Sequence, residues 1–437
     1  MPQPALPLSA SPARAKPGKR RRADPAVLPS AGEMGFAQLV SALQVPAPIA
    51  VPADAPRKRR TAVRAPAAAV VEESIAELLA RTERFARSGR IDEALALCQS
   101  LQPRLVAAGD LLSQGICEHM VALSQQYAGR MKESTLAGYR AMDLLDRARA
   151  PGRLLRVLGL QAIGVARMGD VAEALSLLGR ALRLLPEVND LPGEQCIWWN
   201  NAGAAYHALG RLPEAVDAAT RAIGLLHGFD EPNLRAVCRG NLLIFRLDLA
   251  LSLDASLHNR ELMEALDGIQ THIEALIADA RHHFVPENVN AAADALIALG
   301  RIDEAREWLR RGVKSARATG AGPELGLLEW RLAVVERLAG QYRAAAAHIA
   351  HALELLSERQ SPEQLARVHL ENCLLQEAQQ HWRAALDSHK RCAEIREALL
   401  KSQADVRTQA LAARLEVERE HAEATMRALA ARNGQAG

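Results

Sequence analysis

The stretches LGRLPEAV at 209–216 and LGRIDEAR at 299–306 are one phrase written twice. SGRIDEAL at 88–95 and MGDVAEAL at 168–175 repeat it, and AGRMKEST at 128–135, AGQYRAAA at 339–346 and QQHWRAAL at 379–386 are weaker copies. The shared element is a glycine between two runs of helix-forming residues. Glycine enters the left-handed backbone region without steric cost, which is what ends one helix and lets the next begin. Gly89, Gly129, Gly169, Gly210, Gly300, Gly340 and Gln380 follow one another at intervals of 40, 40, 41, 90, 40 and 40 residues. The interval of 90 holds two periods, and Asn259, before Arg260-Glu261-Leu262, is placed to supply the missing turn.

Two further columns fix the register. Seven residues before the turns stand Thr82, Ala122, Ala162, Gly203, Ser252, Ala293, Ala333 and Cys373, all small. Five residues after them stand Ala94, Ser134, Ala174, Ala215, Glu264, Ala305, Ala345 and Ala385, of which only Glu264 is large. Antiparallel helices approach closely only where their side chains are small, so these columns mark the crossing of each helix pair. Aromatic residues make up only 3% of a chain that is 49% hydrophobic, which leaves alanine and leucine to build the interior and disfavours β-domains. The spacing predicts an all-α solenoid of about eight helical hairpins over residues 71–399, with a joint near 247–264 where the period is interrupted.

The turn glycine, the small residue before it and the alanine after it resemble the tetratricopeptide repeat. That resemblance covers about residues 72–399 and implies a right-handed solenoid whose first helices line a concave groove for peptides. The consensus unit is about 34 residues, so the units of about 40 here imply longer helices.

Residues 1–70 hold twelve of the 21 prolines and eleven Lys/Arg against three Asp/Glu. Such a segment buries too little apolar surface to offset its ordering entropy, and it reads as a disordered basic arm. The overall charge of +3 therefore leaves the rest of the chain net acidic. The clusters Lys16, Lys19, Arg20, Arg21, Arg22 and Arg57, Lys58, Arg59, Arg60 suit phosphate, but no aromatic residue is interleaved to stack on bases. Nucleic-acid binding through this arm is the third reading of function. Phe36, Leu39, Val40 and Leu43 form a short stripe that is either a docking helix or a transient one.

From about Ala393 to Arg432 no Gly or Pro occurs, and Leu400, Leu411, Leu415, Met426 and Leu429 form a ragged stripe. Residues 400–437 read as a long C-terminal helix with a frayed tail, which either caps the array or pairs with a second copy. The run from His381 to Ala424 resembles the junction between tetratricopeptide sensors and GGDEF output domains of bacterial signalling proteins, through Leu386-Asp387-Ser388-His389-Lys390-Arg391 and Ala412-Ala413-Arg414-Leu415-Glu416. No GGDEF or EAL domain motif accompanies it. The resemblance therefore implies a sensory or partner-binding half and no cyclase activity.

Motifs for chemistry are missing. Neither GxGxxG nor GxxxxGK[ST] nor GxSxG occurs. The adjacent His282 and His283 diverge on a helix, and His348 with His351 lacks a third ligand nearby in sequence. The six cysteines are scattered and read as small buried thiols of a reducing compartment, and no apolar run is long enough to span a membrane. The expectation is a cytoplasmic, non-enzymatic chain without cofactor or metal.

The expected function is the holding of a protein or peptide partner. On the register above, His119, Gln126, Asn200, Asn201, His207, Asn290 and Asp294 fall on the inner face of the first helices. Their amides, imidazoles and carboxylate can hydrogen-bond a peptide backbone. Arg235 and Arg239, one helical turn apart, can clamp a carboxylate or remain solvated. Trp199 stands at the large packing position of the repeat, and Trp198 is open to groove or interface. A stand-alone sensor of a cyclic-dinucleotide or two-component pathway is the alternative.

Overall fold

The structure is a computed structural model. It describes residues 73–87, 90–128, 130–228, 231–253, 255–320, 322–356 and 361–434. The N-terminal arm, with its basic clusters and apolar stripe, and Gly89 and Gly129 lie outside the described residues.

Sixteen α-helices are formed, and no strand occurs among the described residues. They pair as eight hairpins: α1 Ile75–Arg87 with α2 Ile91–Ala108, α3 Leu111–Tyr127 with α4 Met131–Arg147, α5 Pro151–Arg167 with α6 Val171–Leu184, and α7 Pro192–Ala208 with α8 Leu212–Leu225. The second four are α9 Pro232–Ser252 with α10 Ala255–Ala278, α11 Val285–Ala298 with α12 Ile302–Thr319, α13 Gly322–Leu338 with α14 Tyr342–Leu355, and α15 Pro362–Ala378 with α16 Trp382–Gly434.

The recurring phrase is now legible atom by atom. Gly169, Gly210, Gly300 and Gly340 have φ between 71° and 74°, and Gln380 adopts the same conformation at 63°. In each turn the residue after the left-handed one donates its N–H to a carbonyl five positions back, for example Arg211 to Tyr206 at 2.9 Å and Arg301 to Leu296 at 2.8 Å. That bond satisfies a carbonyl the helix end would otherwise leave unpaired. The arginine of the phrase pairs with the glutamate three residues on, as Arg90 with Glu93 and Arg301 with Glu304. The following alanine is the crossing point: Ala94, Ala174, Ala215, Ala305 and Ala345 are wholly inaccessible to solvent. At Gly203 an added Cβ would meet the Ala215 carbonyl oxygen at 3.2 Å. Proline opens α5, α7, α9 and α15, where its missing N–H costs no hydrogen bond.

The fifth hairpin departs from the expectation. Asn259 lies inside α10, and the chain turns six residues earlier, at Leu253, in extended backbone. Both helices of this hairpin are long, 21 and 24 residues. Ser252 and Glu264 consequently sit exposed rather than at a crossing. The close approach is instead between Leu243 and Gly268, where an added Cβ would stand 2.8 Å from the leucine side chain.

Each first helix packs on the first helix of the next hairpin, while among the second helices comparable neighbour packing is not found in the described residues. The more closely spaced layer lies on the inside of a bend, so the first helices form the inner wall. No break separates the last hairpin from the C-terminal helix at residue 400: α16 is one helix of 53 residues, about 80 Å long. Its middle returns to α4, far from where it leaves the eighth hairpin. All six cysteines are free and buried. No described helix is long and apolar enough to cross a membrane.

Candidate interaction site

A row of polar side chains runs along the inner wall from one first helix to the next. Asn241 Nδ2 on α9 donates to Asn200 Oδ1 on α7 at 3.0 Å, and His207 Nε2 meets Asp248 Oδ2 at 2.6 Å. The His207 ring stacks on Phe245, with centroids 4.6 Å apart. Further along, Arg331 on α13 donates through Nε to Asn290 Oδ1 at 3.0 Å and through Nη2 to Asp294 Oδ2 at 2.6 Å. Three of these four links join residues 41 apart, one repeat period, so they tie equivalent places on consecutive hairpins.

Burial governs the electrostatics of the row. Asp294 is pushed up to about 6 by loss of solvent, against the pull of Arg331. Desolvation also lowers the Arg331 guanidinium, whose side chain has no exposed surface. Glu287, near the start of α11, is raised to about 8 by burial; Arg167 at the end of α5 pulls it down and Glu324 pushes it up. Arg167 belongs to the third hairpin and Glu287 to the sixth, so charge from a distant hairpin bears on this buried carboxyl.

The candidate residues therefore separate into two groups. Asn200 has no exposed surface, and His119, Asn201, His207 and Asn290 are buried with it. Asn201 lies against Gly159, where an added Cβ would stand 3.0 Å away. Asp294 and Gln126 are half-buried. Arg235 and Arg239 are exposed, and they project from α9 about 140° and 180° away from Asp248, so the fold does not bring them to the row. Arg235 Nη2 donates to the Leu226 carbonyl at 3.0 Å. Arg246, which the sequence reading passed over, extends this exposed stripe. The tryptophans are distributed opposite to expectation: Trp198 is the enclosed one at 1% exposure, while Trp199 is half-buried under the Arg221 guanidinium.

The tetratricopeptide repeat family model matches residues 287–319, which is the sixth hairpin. No curated protein matches the sequence. Among solved structures, the apo form of RapI superposes with a TM-score of 0.52 at 12% identity, covering 79% of this chain and 98% of that one. The Rap conjugation gene regulator of the plasmid pLS20, solved in complex with the Phr* peptide, gives 0.51 at 12% identity, covering 75% and 96%. At such identity the likeness concerns the fold alone. The fold is a tetratricopeptide-type solenoid.

Several residues that matter in this solenoid escaped the sequence reading. Asn241, Asp248 and Arg331 complete the row, and each stands one period after a residue that was recognised, which is the signal that could have found them. Glu329 is another. Its carboxylate, 3% exposed, accepts from His348 Nδ1 at 2.7 Å and lies 3.0 Å from His351 Nδ1. Burial pushes Glu329 up, but the two histidines outweigh it and leave it below its ordinary value. No cluster of three metal-ligating side chains occurs among the described residues. Asn200 Nδ2, Asn288 Oδ1, Asp294 Oδ1, Arg331 Nη1 and Trp330 Nε1 are buried without a hydrogen-bond partner.

Proposed function

We propose that the solenoid is a non-enzymatic interaction scaffold that takes a segment of a partner protein along its inner wall. The observation that carries this reading is the set of unpaired buried groups on that wall: Asn200 Nδ2, Asp294 Oδ1 and Arg331 Nη1. A buried polar group without a partner costs about 1–3 kcal/mol, and a peptide backbone offers the carbonyls and N–H groups that would relieve it. The Rap regulator solved with its Phr* peptide supports a peptide-type partner. Because most of the row is buried, binding includes a local rearrangement that uncovers these groups, and the covered form competes with the partner. His119, Gln126, Asn200, Asn201, His207, Asn290 and Asp294 are the proposed contacts, with the Arg235, Arg239 and Arg246 stripe as a separate anionic-segment site. A displayed library of extended peptides, panned against the full chain, tests this. Selected peptides are expected to weaken at least tenfold on Asn200→Ala, and undiminished binding would remove the inner-wall reading.

The sensory alternative rests on one observation, the unbroken course of α16 out of the last hairpin. A rigid helix of this kind can carry a change in the array to a separate output protein. Proline insertion after Leu400 is expected to uncouple any downstream response while leaving peptide binding intact. An unchanged response would count against it.

A further inference from the structure

α16 does more than close the last hairpin. Its Arg414 Nη1 lies 2.6 Å from Glu173 Oε2 on α6, and Tyr139 on α4 donates its hydroxyl to the other oxygen of the same carboxylate at 2.5 Å. Val406 packs against the main core, and Val417 lines the space between α16, α4 and α6. At about 100° per residue, Val406, Arg414 and Val417 share one arc of roughly 80°. The receiving surface is acidic and apolar in matching places, with Asp143, Asp146 and Glu173 beside Met142 and Leu177.

The fit is incomplete in two respects. A cavity of about 310 Å³ remains between the three helices. The helix also turns its richer apolar side outward: Leu400, Leu411, Leu415 and Met426 are 57–68% exposed. Among the described side chains, one ion pair and two valines hold this helix, seated by its poorer face over an unfilled gap.

We infer that the α4–α6 surface is a docking site for an amphipathic helix of another protein, and that α16 occupies it in cis until that helix arrives. The partner face carries an arginine flanked by β-branched residues at the spacing of Val406, Arg414 and Val417. Glu173 and Tyr139 read the arginine, and Met142 and Leu177 receive the aliphatic groups. This inference is independent of the inner-wall reading, because no residue of that row takes part.

The probe is a labelled synthetic peptide of residues 400–420, titrated against the full chain by fluorescence anisotropy. Arg414→Glu in the full chain sets like charges against Glu173 and lifts α16, so the peptide is expected to bind at least tenfold more tightly than to the unaltered chain. Glu173→Arg in the full chain should abolish binding of that peptide and admit one carrying Arg414→Glu. Equal affinity for the unaltered and Arg414→Glu chains, or indifference to Glu173→Arg, would overturn the proposal. Should the variants misfold, hydrogen exchange of the unaltered chain decides: excess peptide should speed exchange across residues 400–420 of the chain, and unchanged exchange refutes displacement. An unaltered chain that dimerises, and is returned to monomer by the peptide, would assign the surface to a second copy and likewise overturn the inference.

Discussion

At position 380 a glutamine holds a backbone conformation that glycine holds in four sister turns. The left-handed region costs a residue with a Cβ about 1–2 kcal/mol. Gln380→Gly should therefore raise stability by roughly 1 kcal/mol, and Gly300→Ala should lower it by about the same amount or more. Chemical denaturation of both variants checks the pair. Titratable residues give a second test at this scale. The Glu287 carboxyl has a folded value of about 8 against an ordinary 4.5. The folded state therefore holds a proton that the unfolded chain releases. Its contribution is complete below 4.5 and is lost as pH rises through about 8. Asp294, raised to about 6, acts in the same direction. Glu287→Gln should flatten the fall in melting temperature across that window, and a variant as pH-sensitive as the parent would show that Glu287 is ionised in the fold. Arg331→Ala strands the Asp294 carboxylate without its counter-charge and should cost about 3–5 kcal/mol, measured by the same denaturation.

Helix pairs explain what the sequence could and could not disclose. Among the described turns, those at Gly169, Gly210, Gly300, Gly340 and Gln380 were legible because each needs one left-handed residue and two small neighbours, and the four glycines meet that need in plain view. The fifth turn was not, because Leu253 makes it in extended backbone, which any residue adopts and no composition marks. Lengthening of α9 and α10 then moved the crossing to Leu243 and Gly268, out of the columns that fixed the other hairpins. The candidate site was half legible. Asn200, His207, Asn290 and Asp294 were recognisable as one face, but their partners on the neighbouring helix depend on how adjacent hairpins are offset, which a single repeat does not encode. At this scale α16 should behave as two pieces. Amides of residues 385–395, packed against α15, are expected to exchange slowly. Those of Ala422, Glu423, Met426 and Arg427, with exposed side chains, should exchange near the rate of an isolated helix, and uniform protection along the helix would contradict this.

Across the whole molecule, one contact between residues far apart in sequence stands out. Arg414 reaches Glu173, so the far end of the chain returns to its third hairpin. That contact has no local signature, since it depends on the summed rotation of several hairpins. The burial of the polar row likewise escaped the sequence, in which an open groove was the natural reading. The docking proposal depends on the return of α16, through its release, and the inner-wall proposal does not. Ser176 and Glu418 line the same cavity from α6 and α16 and are exposed, whereas the six native cysteines are buried and slow to label. Nitroxide labels at Ser176→Cys and Glu418→Cys, read by pulsed dipolar spectroscopy on the full chain, measure the seating of α16 directly. One narrow distribution at short distance is the predicted result. A broad distribution at long distance would mean that α16 swings free and that the far end of the chain does not return to its third hairpin.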